Sequence, residues 1–294
     1  LAYISSAIKF LNDNGKDGKK FWNESTIYHF IGKDIVYHHY LFLPAMRLGI
    51  DEEYKLPDYI PTRGHLTLQS KKISKSRNWY IGLKDFLEIF PADYLRFYLI
   101  SINPYSQDDL NFDWDEFATK INSELIGNLG NFVNRALSFT LKSFNGIVPS
   151  PDKFDDIDKK SEKMITEFVS DLDTPMKENQ LDRALKKILQ FSAHFNQYFQ
   201  HKEPWKNGSG TNSCIFLSVN AIRSLAIAIY PFLPISSQKI WSQLGLEGDV
   251  SSQPFDEISN IVLKHDHKLG SISPLFEKVE ESVIEEQKSK LGAE

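Results

Sequence analysis

Cysteine is almost missing from this chain: Cys214 is the only one in 294 residues. A single thiol excludes an intrachain disulfide framework and a cysteine-rich zinc site. It suits a reducing, cytoplasmic setting. Long apolar runs are scarce as well, and nothing approaches the ~18 residues of a membrane span. The most apolar stretch, Ala221 to Pro234, is interrupted by Arg223 and closed by two prolines. The opening Leu1-Ala2-Tyr3 has neither the basic region nor the apolar core of a secretory signal. No methionine starts it, so a piece of a longer chain is expected. Excess positive charge is lacking too: 34 Lys and Arg against 39 Asp and Glu leave a net charge of -5. That argues against a general nucleic-acid coat and leaves room for local basic patches. No glycine-rich phosphate loop, GxSxG elbow or HExxH pair occurs, so hydrolases built on those motifs are unsupported. Internal repeats and low-complexity blocks are absent.

What is present is ordinary globular material, 41% apolar and 25% charged, with 21 phenylalanines to fill cores. The length suffices for two modest domains. The most informative stretch is Lys71-Lys72-Ile73-Ser74-Lys75-Ser76-Arg77-Asn78-Trp79, rich in cations and hydroxyls and free of carboxylates. It reads either as a solvated surface loop or as mobile ammonium groups offered to a polyanion. Lys72 and Lys75 are the candidate catalytic cations. Breaking the α,β-phosphate bond of ATP moves negative charge onto pyrophosphate, and preorganised cations stabilise that transition state more than the ground state. Lysine on a flexible loop has the reach for this. Ser74 and Ser76 add hydrogen-bond donors.

Before this loop, strand-like and helix-like segments alternate. Tyr3 to Leu11 reads as a helix stopped by Asn12 to Gly15. Thr26 to Ile31 reads as a buried strand, Asp34 to Leu48 as a helix, and residues 59–68 as further strand. The rhythm suggests part of a parallel α/β sheet. After the loop, Pro91 to Ile100 reads as a helix. From Phe117 the periodicity becomes helical throughout. Stripes through Phe117–Phe139, Phe154–Leu172, Leu181–Phe199, Ile215–Ile229 and Ser236–Leu244 predict an α-bundle. Beyond Gly248, irregular chain and one exposed helix are expected.

Other candidates carry two readings each. Asp34 follows the turn at Gly32, where open α/β sheets place ligands, and it either accepts a ribose hydroxyl or caps its helix. His39 reads as a satisfied core histidine, and helical geometry, which points adjacent side chains in different directions, argues against a metal shared with its neighbour His38. Glu124, Asn128, Asn131, Arg135 and Lys142 form a polar stripe, suited to unstacked RNA bases or simply solvated. Trp205, between Pro204 and Lys206, is a stacking platform for a base or a hydrophobic cap on the bundle.

Five blocks, in order, resemble the methionyl-tRNA synthetase family, in its archaeal and eukaryotic-like branch. They are Ile27 to Tyr37 with Leu43-Pro44-Ala45-Met46, then Lys72-Ile73-Ser74-Lys75-Ser76 (the KMSKS loop, with Ile73 for Met). Phe90-Pro91-Ala92-Asp93-Tyr94-Leu95-Arg96, Asn128 to Arg135, and Glu203-Pro204-Trp205 complete the set. The resemblance implies a mainly α fold with an α/β part. Residues 1–69 would be the second half of a Rossmann-like catalytic domain, and 70–115 the KMSKS loop and stem-contact module. Residues 116–248 would form the anticodon-binding bundle, and 249–294 a tail returning toward the catalytic side.

The resemblance also implies roles. Asp34, Lys72, Ser74 and Lys75 would bind ATP and the adenylate, and Tyr3 and His39 would line the methionine pocket. Asn131, Arg135 and Trp205 would read the CAU anticodon of methionine tRNA. ATP with Mg2+ is the implied co-substrate, and no zinc is expected in this chain. Leu43 stands where bacterial members carry a tryptophan. The HIGH motif and the zinc-binding connective domain, N-terminal to Tyr3 in the family, have no counterpart in this sequence, so the chain alone is expected to be inactive. The alternatives are a stand-alone tRNA-binding module and a different class I synthetase.

Overall fold

The computed structural model describes residues 2–50 and 53–292. The chain forms two units, unit 1 from residues 1–67 and 105–111 and unit 2 from 68–104 and 112–294.

Unit 1 begins with α1 (Ala2–Asp13) and α2 (Gly18–Glu24), the latter capped by Asp17, whose carboxylate accepts from the Lys20 amide. The expected strand at 26–31 is an extended segment with little regular pairing. Tyr28 bridges Tyr59 in parallel, and β1 (Ile31–Gly32) pairs with β2 (Thr62–Arg63) in register Ile31 to Thr62. Only Ile27 and Ile31 of that segment are buried; Tyr28 and Phe30 face outward, which corrects the expectation of a strand covered on both faces. The helical stretch after Gly32 is likewise irregular. It runs through a 3-10 turn (Lys33–Ile35) and a π-helical stretch (His38–Phe42) into α3 (Leu43–Leu48). Beyond β2 follows β3 (Leu66–Leu68). Within unit 1, the Leu110 amide donates to the His65 carbonyl at 2.7 Å, and Thr67 Oγ1 to the Leu110 carbonyl at 2.9 Å.

Unit 2 begins with β4 (Lys71–Lys72), α4 (Leu83–Ile89) and α5 (Ala92–Ser101), and resumes at Phe112, the last residue of β5 (Leu110–Phe112). Their rings make one aromatic cluster: Phe86, Phe90, Tyr98, Phe112 and Trp114 all surround Phe117, with centroids 5.2–5.7 Å from it. Then comes an unbroken helical rod of α6 (Trp114–Lys120), a π-helical stretch (Ile121–Gly130) and α7 (Asn131–Ser143). Asp113 caps it by accepting the Asp115 and Glu116 amides.

The stripe Phe154–Leu172 is two helices rather than one, α8 (Asp156–Thr166) and α9 (Phe168–Lys177). The break has a visible cause: Ser259 Oγ accepts the Val169 amide at 2.9 Å, taking it from the helical ladder. α10 (Leu181–Lys202), α11 (Thr211–Ile229) and α12 (Pro234–Gln243) complete the bundle, and α13 (Glu281–Ser289) follows an irregular tail. By length and mean hydropathy α11 would pass as a membrane span, although the sequence shows no uninterrupted apolar run of that size. It is the bundle's central helix, with all but Asn212 and Phe216 buried. Two of its polar members are paired across the bundle, while the buried Ser218 and Ser224 hydroxyls have no partner among the described residues. Asn220 exchanges both hydrogen bonds with the Leu263 backbone, and Arg223 binds Glu257 at 3.0 Å.

Candidate functional site

The lysine-rich run forms a small self-closed loop in unit 2. Ser74 and Trp79 exchange both backbone hydrogen bonds at 2.8 Å, and Ser74 Oγ lies 3.1 Å from Ser76 Oγ. Between them Lys75–Arg77 makes a 3-10 turn ended by Asn78 in the left-handed region, φ 52. Trp79 is the loop's floor: its Nε1 donates to the Leu68 carbonyl at 2.8 Å, and the Lys71 ammonium lies 4.7 Å from its ring centroid. Lys72 and Lys75 are exposed and make no ion pair among the described residues. Two such ammonium groups on a preformed loop fit a polyanion.

Tyr3 and His39, paired on the basis of the resemblance, do meet in unit 1. Their rings stack at 5.7 Å, and His29 closes a triangle at 5.3 Å from Tyr3 and 5.4 Å from His39. His39 is buried, with Nδ1 3.0 Å from the Ile35 carbonyl. Burial, assisted by the nearby His39, lowers the pKa of His29, favouring a neutral imidazole. Its buried Nδ1 has no protein partner.

Asp34 is exposed and sits in the 3-10 turn that follows Gly32. Its carboxylate faces His65 at 3.5 Å. Lys33 beside it binds Asp109 at 2.7 Å, and that hydrogen bond, with one from the His65 amide, lowers the Asp109 pKa. Asp34 belongs to unit 1, and Lys72, Ser74 and Lys75 to unit 2.

The polar stripe of the first bundle helix meets a matching stripe on α10. Asn131 Nδ2 donates to Asn196 Oδ1 at 3.2 Å, and an Arg135 guanidinium nitrogen to Gln200 Oε1 at 3.0 Å. Asn196 also donates to the Asn128 carbonyl at 2.8 Å. Between the two helices lies an open groove of about 570 Å³, lined by Asn128, Asn131, Arg135, Asn196, Gln200 and His201 among others. The Arg135 guanidinium spans the Phe199 and Trp205 rings, 5.3 and 5.9 Å from their centroids. Trp205 is 42% exposed, too open for a simple hydrophobic cap. Asn131 and Arg135, picked from one segment, and Trp205, picked from another, are therefore brought together. Lining with amides and one guanidinium can donate and accept with little net charge, which suits the edges of unstacked bases.

The position of Trp205 has an electrostatic cause that the sequence did not reveal. α10 ends at Lys202, followed by Glu203 at φ 43 and a 3-10 turn Pro204–Lys206. The Lys202 side chain is buried and binds Asp155 and Asp158, both at 2.9 Å. Asp158 is also the acceptor of the buried Tyr198 hydroxyl at 2.7 Å. Burial works against the charge on Lys202, but its hydrogen bonds to the two carboxylates raise its pKa overall. The same bond from Lys202, with the Asp158 amide, holds Asp155 at about 2. The end of α10 is thus pinned to the capping box of α8.

Among the described residues no group of three or more His, Cys, Asp or Glu is placed to hold a metal.

A catalytic-type α/β portion with a lysine-serine loop, joined to a helical RNA-type groove, is the make-up of a class I tRNA synthetase. The family described as tRNA synthetases class I (M) matches residues 1–137, and the anticodon-binding domain of tRNA ligase matches residues 158–291. The chain belongs to the methionyl-tRNA synthetase family. It is 38% identical to methionine–tRNA ligase of Pyrococcus furiosus, over 97% of this chain and 41% of that protein. The ligase of Thermofilum pendens is 36% identical over 97% of this chain and 51% of its own length. Methionyl-tRNA synthetase of Mycobacterium tuberculosis, solved in complex with methionyl-adenylate, superposes with TM-score 0.81 at 25% identity. That match covers 93% of this chain and 54% of the solved one. The chain thus spans about half, or less, of the length of the relatives it matches.

Proposed function

We propose that this chain is the tRNA-reading and loop-bearing portion of a cytoplasmic methionine–tRNA ligase, which activates methionine with ATP, carried as its magnesium complex, and transfers it to methionine tRNA. Residues 1–69 supply part of the catalytic domain, 70–115 the loop and stem-contact module, 116–248 the anticodon bundle and 249–294 the returning tail. The observation that carries this reading is the groove between α7 and α10, where Asn131, Arg135 and Trp205 converge. There Trp205 stacks a splayed anticodon base, while Asn131 and Arg135 read edges of the CAU triplet. Asn196 and Gln200 orient those two side chains.

In unit 2, Lys72 and Lys75 hold the ATP phosphates. Their charge is worth most as the α,β bond breaks and pyrophosphate takes up the electrons. Ser74 adds a donor. In unit 1, Asp34 accepts a ribose hydroxyl. Tyr3 and His39 form one wall for the methionine side chain, an aromatic surface suited to a thioether. The sequence holds no HIGH motif, so this chain alone is expected to show no ATP–pyrophosphate exchange.

Trp205→Ala tests the reading. Loss of base stacking, worth ~1–3 kcal/mol, should weaken methionine-tRNA binding by about tenfold to a hundredfold, with the melting temperature unchanged. Unaltered affinity and unaltered preference for CAU would remove the anticodon assignment.

A further inference from the structure

The lysine loop is held from outside as well as by its own hydrogen bonds, and the holder is the far end of the chain. Asn78, the residue that ends the 3-10 turn, donates its side-chain amide to the Lys290 carbonyl at 3.0 Å. The Gly292 amide returns a bond to the Asn78 carbonyl at 3.0 Å. The fit is close, because a Cβ at Gly292 would collide with the Arg77 carbonyl. Residues 290–292 thus hold Asn78 by both its side chain and its carbonyl.

The tail that delivers this grip is bonded along unit 2. The Tyr94 hydroxyl donates to the Glu277 carbonyl and accepts the Glu277 amide, both at 2.7 Å. Asn122, in the π-helical stretch, makes the equivalent pair of bonds to Val279 at 2.8 and 2.9 Å. Phe276 packs against Gly130, where a Cβ would come within 2.9 Å of its ring. That glycine immediately precedes Asn131. α13 is then fixed by the buried Ile284 and by Lys288, which binds Asp115 at 2.6 Å.

We propose that the segment Lys290–Gly292 is a clasp that positions the lysine-serine loop, and that Asn78 is its receiving residue. The clasp keeps the Ser74–Trp79 pairing closed and so sets where the Lys72 and Lys75 side chains begin. It is also the joint most ready to part. The seat beneath it is a cavity of about 160 Å³ lined by Asn78, Asp85, Trp114 and Gln287, among others. Trp114 Nε1 and Gln287 Nε2 are buried there without a protein partner. A few exposed backbone bonds over an underfilled seat give a low local opening free energy. A ligand drawing the lysines inward would therefore release the clasp before disturbing the bundle. The benefit to phosphate chemistry rests on the reading of Lys72 and Lys75 given above; the clasp itself does not.

The test is amide hydrogen exchange on the full chain and on two variants. Asn78→Gly keeps the left-handed backbone and removes the bond to Lys290, and Gly292→Val drives the tail off Arg77. Each should speed exchange at the Ser74 and Trp79 amides by about tenfold, the effect of one to two hydrogen bonds, and leave α11 amides unchanged. Trypsin cleavage after Lys72, Lys75 and Arg77 should accelerate in parallel. If either variant folds poorly, a chain ending at Ser289 removes the clasp without adding bulk and should behave the same. Unchanged exchange at Ser74 and Trp79 in a folded variant would overturn the clasp. Protection of the loop from trypsin by magnesium pyrophosphate reads the phosphate role separately. Its absence, with faster exchange in the variants, would uphold the clasp and discard the phosphate assignment.

Discussion

In unit 2, Phe97, Phe117, Phe132, Phe168, Phe191 and Phe195 are all at most 1% exposed. In unit 1, Phe10, Phe30 and Tyr37 are 68%, 59% and 71% exposed, and Tyr28 stacks on Tyr59 at 4.6 Å at the surface. The two units use the same residue types to different ends. Unit 2 closes its rings around one another and packs its helices on the buried α11. Unit 1 pairs β1 with β2 over two residues only, in parallel, an arrangement that elsewhere is covered on both faces. Tyr28, Phe30 and Tyr59 stack on one another there and leave their rings exposed. The difference separates a unit that packs its rings inward from one that leaves many of them open.

The largest expected effect tests that contrast directly. Phe117→Ala should cost unit 2 about 3–5 kcal/mol in denaturant unfolding, as for other buried phenylalanines. Phe30→Ala should change stability by less than about 0.5 kcal/mol. Similar losses for both would break the comparison. Lys202→Met comes next at ~3–5 kcal/mol, because it leaves Asp158 buried without its cation. Adding Asp158→Asn should recover part of the loss. In the wild type, the lowered Asp155 pKa adds stability that is complete above its ordinary 3.8 and is lost as pH falls through about 2. Lys202→Met should flatten that acid slope.

Gln200→Ala is smaller again. It should leave the melting temperature in place and weaken methionine-tRNA binding by about fivefold, since Arg135 loses one partner worth ~1 kcal/mol. The smallest effect is a pH slope in unit 2. Burial, with Lys160 nearby, lowers the pKa of His194, so the unfolded chain takes up its proton first. Stability should therefore fall as pH drops below 6.5 and toward the lowered value, and His194→Gln should reduce that slope in a pH series of thermal melts.

Most of unit 2 was legible in the sequence because apolar stripes at helical spacing have one cheap solution, a bundle. Leu181, Leu185, Ile188, Phe195 and Phe199 predict α10, and the helix runs through all of them. The split between α8 and α9 was hidden because its cause, Ser259, lies 90 residues beyond Val169. Asn131, Arg135 and Trp205 could be singled out one by one. Their partners Asn196 and Gln200 could not, since the pairing exists only once two helices are side by side. Lys202 looked like any lysine at a helix end, and its burial depends on Asp155 and Asp158, far earlier in the chain. Unit 1 was read as more regular than it is. The β-rich run Thr26 to Ile31 has strand propensity, but much of it lacks a covering layer, and little regular pairing forms.

We propose that the groove between α7 and α10 reads an anticodon independently of catalysis. The most direct measurement is the affinity of this chain for an anticodon stem-loop bearing CAU, beside the same hairpin with those bases changed, at one salt concentration. Binding to CAU that is at least about tenfold tighter is expected, since lost base contacts cost ~1–3 kcal/mol each. Equal affinity for the two hairpins would contradict the account.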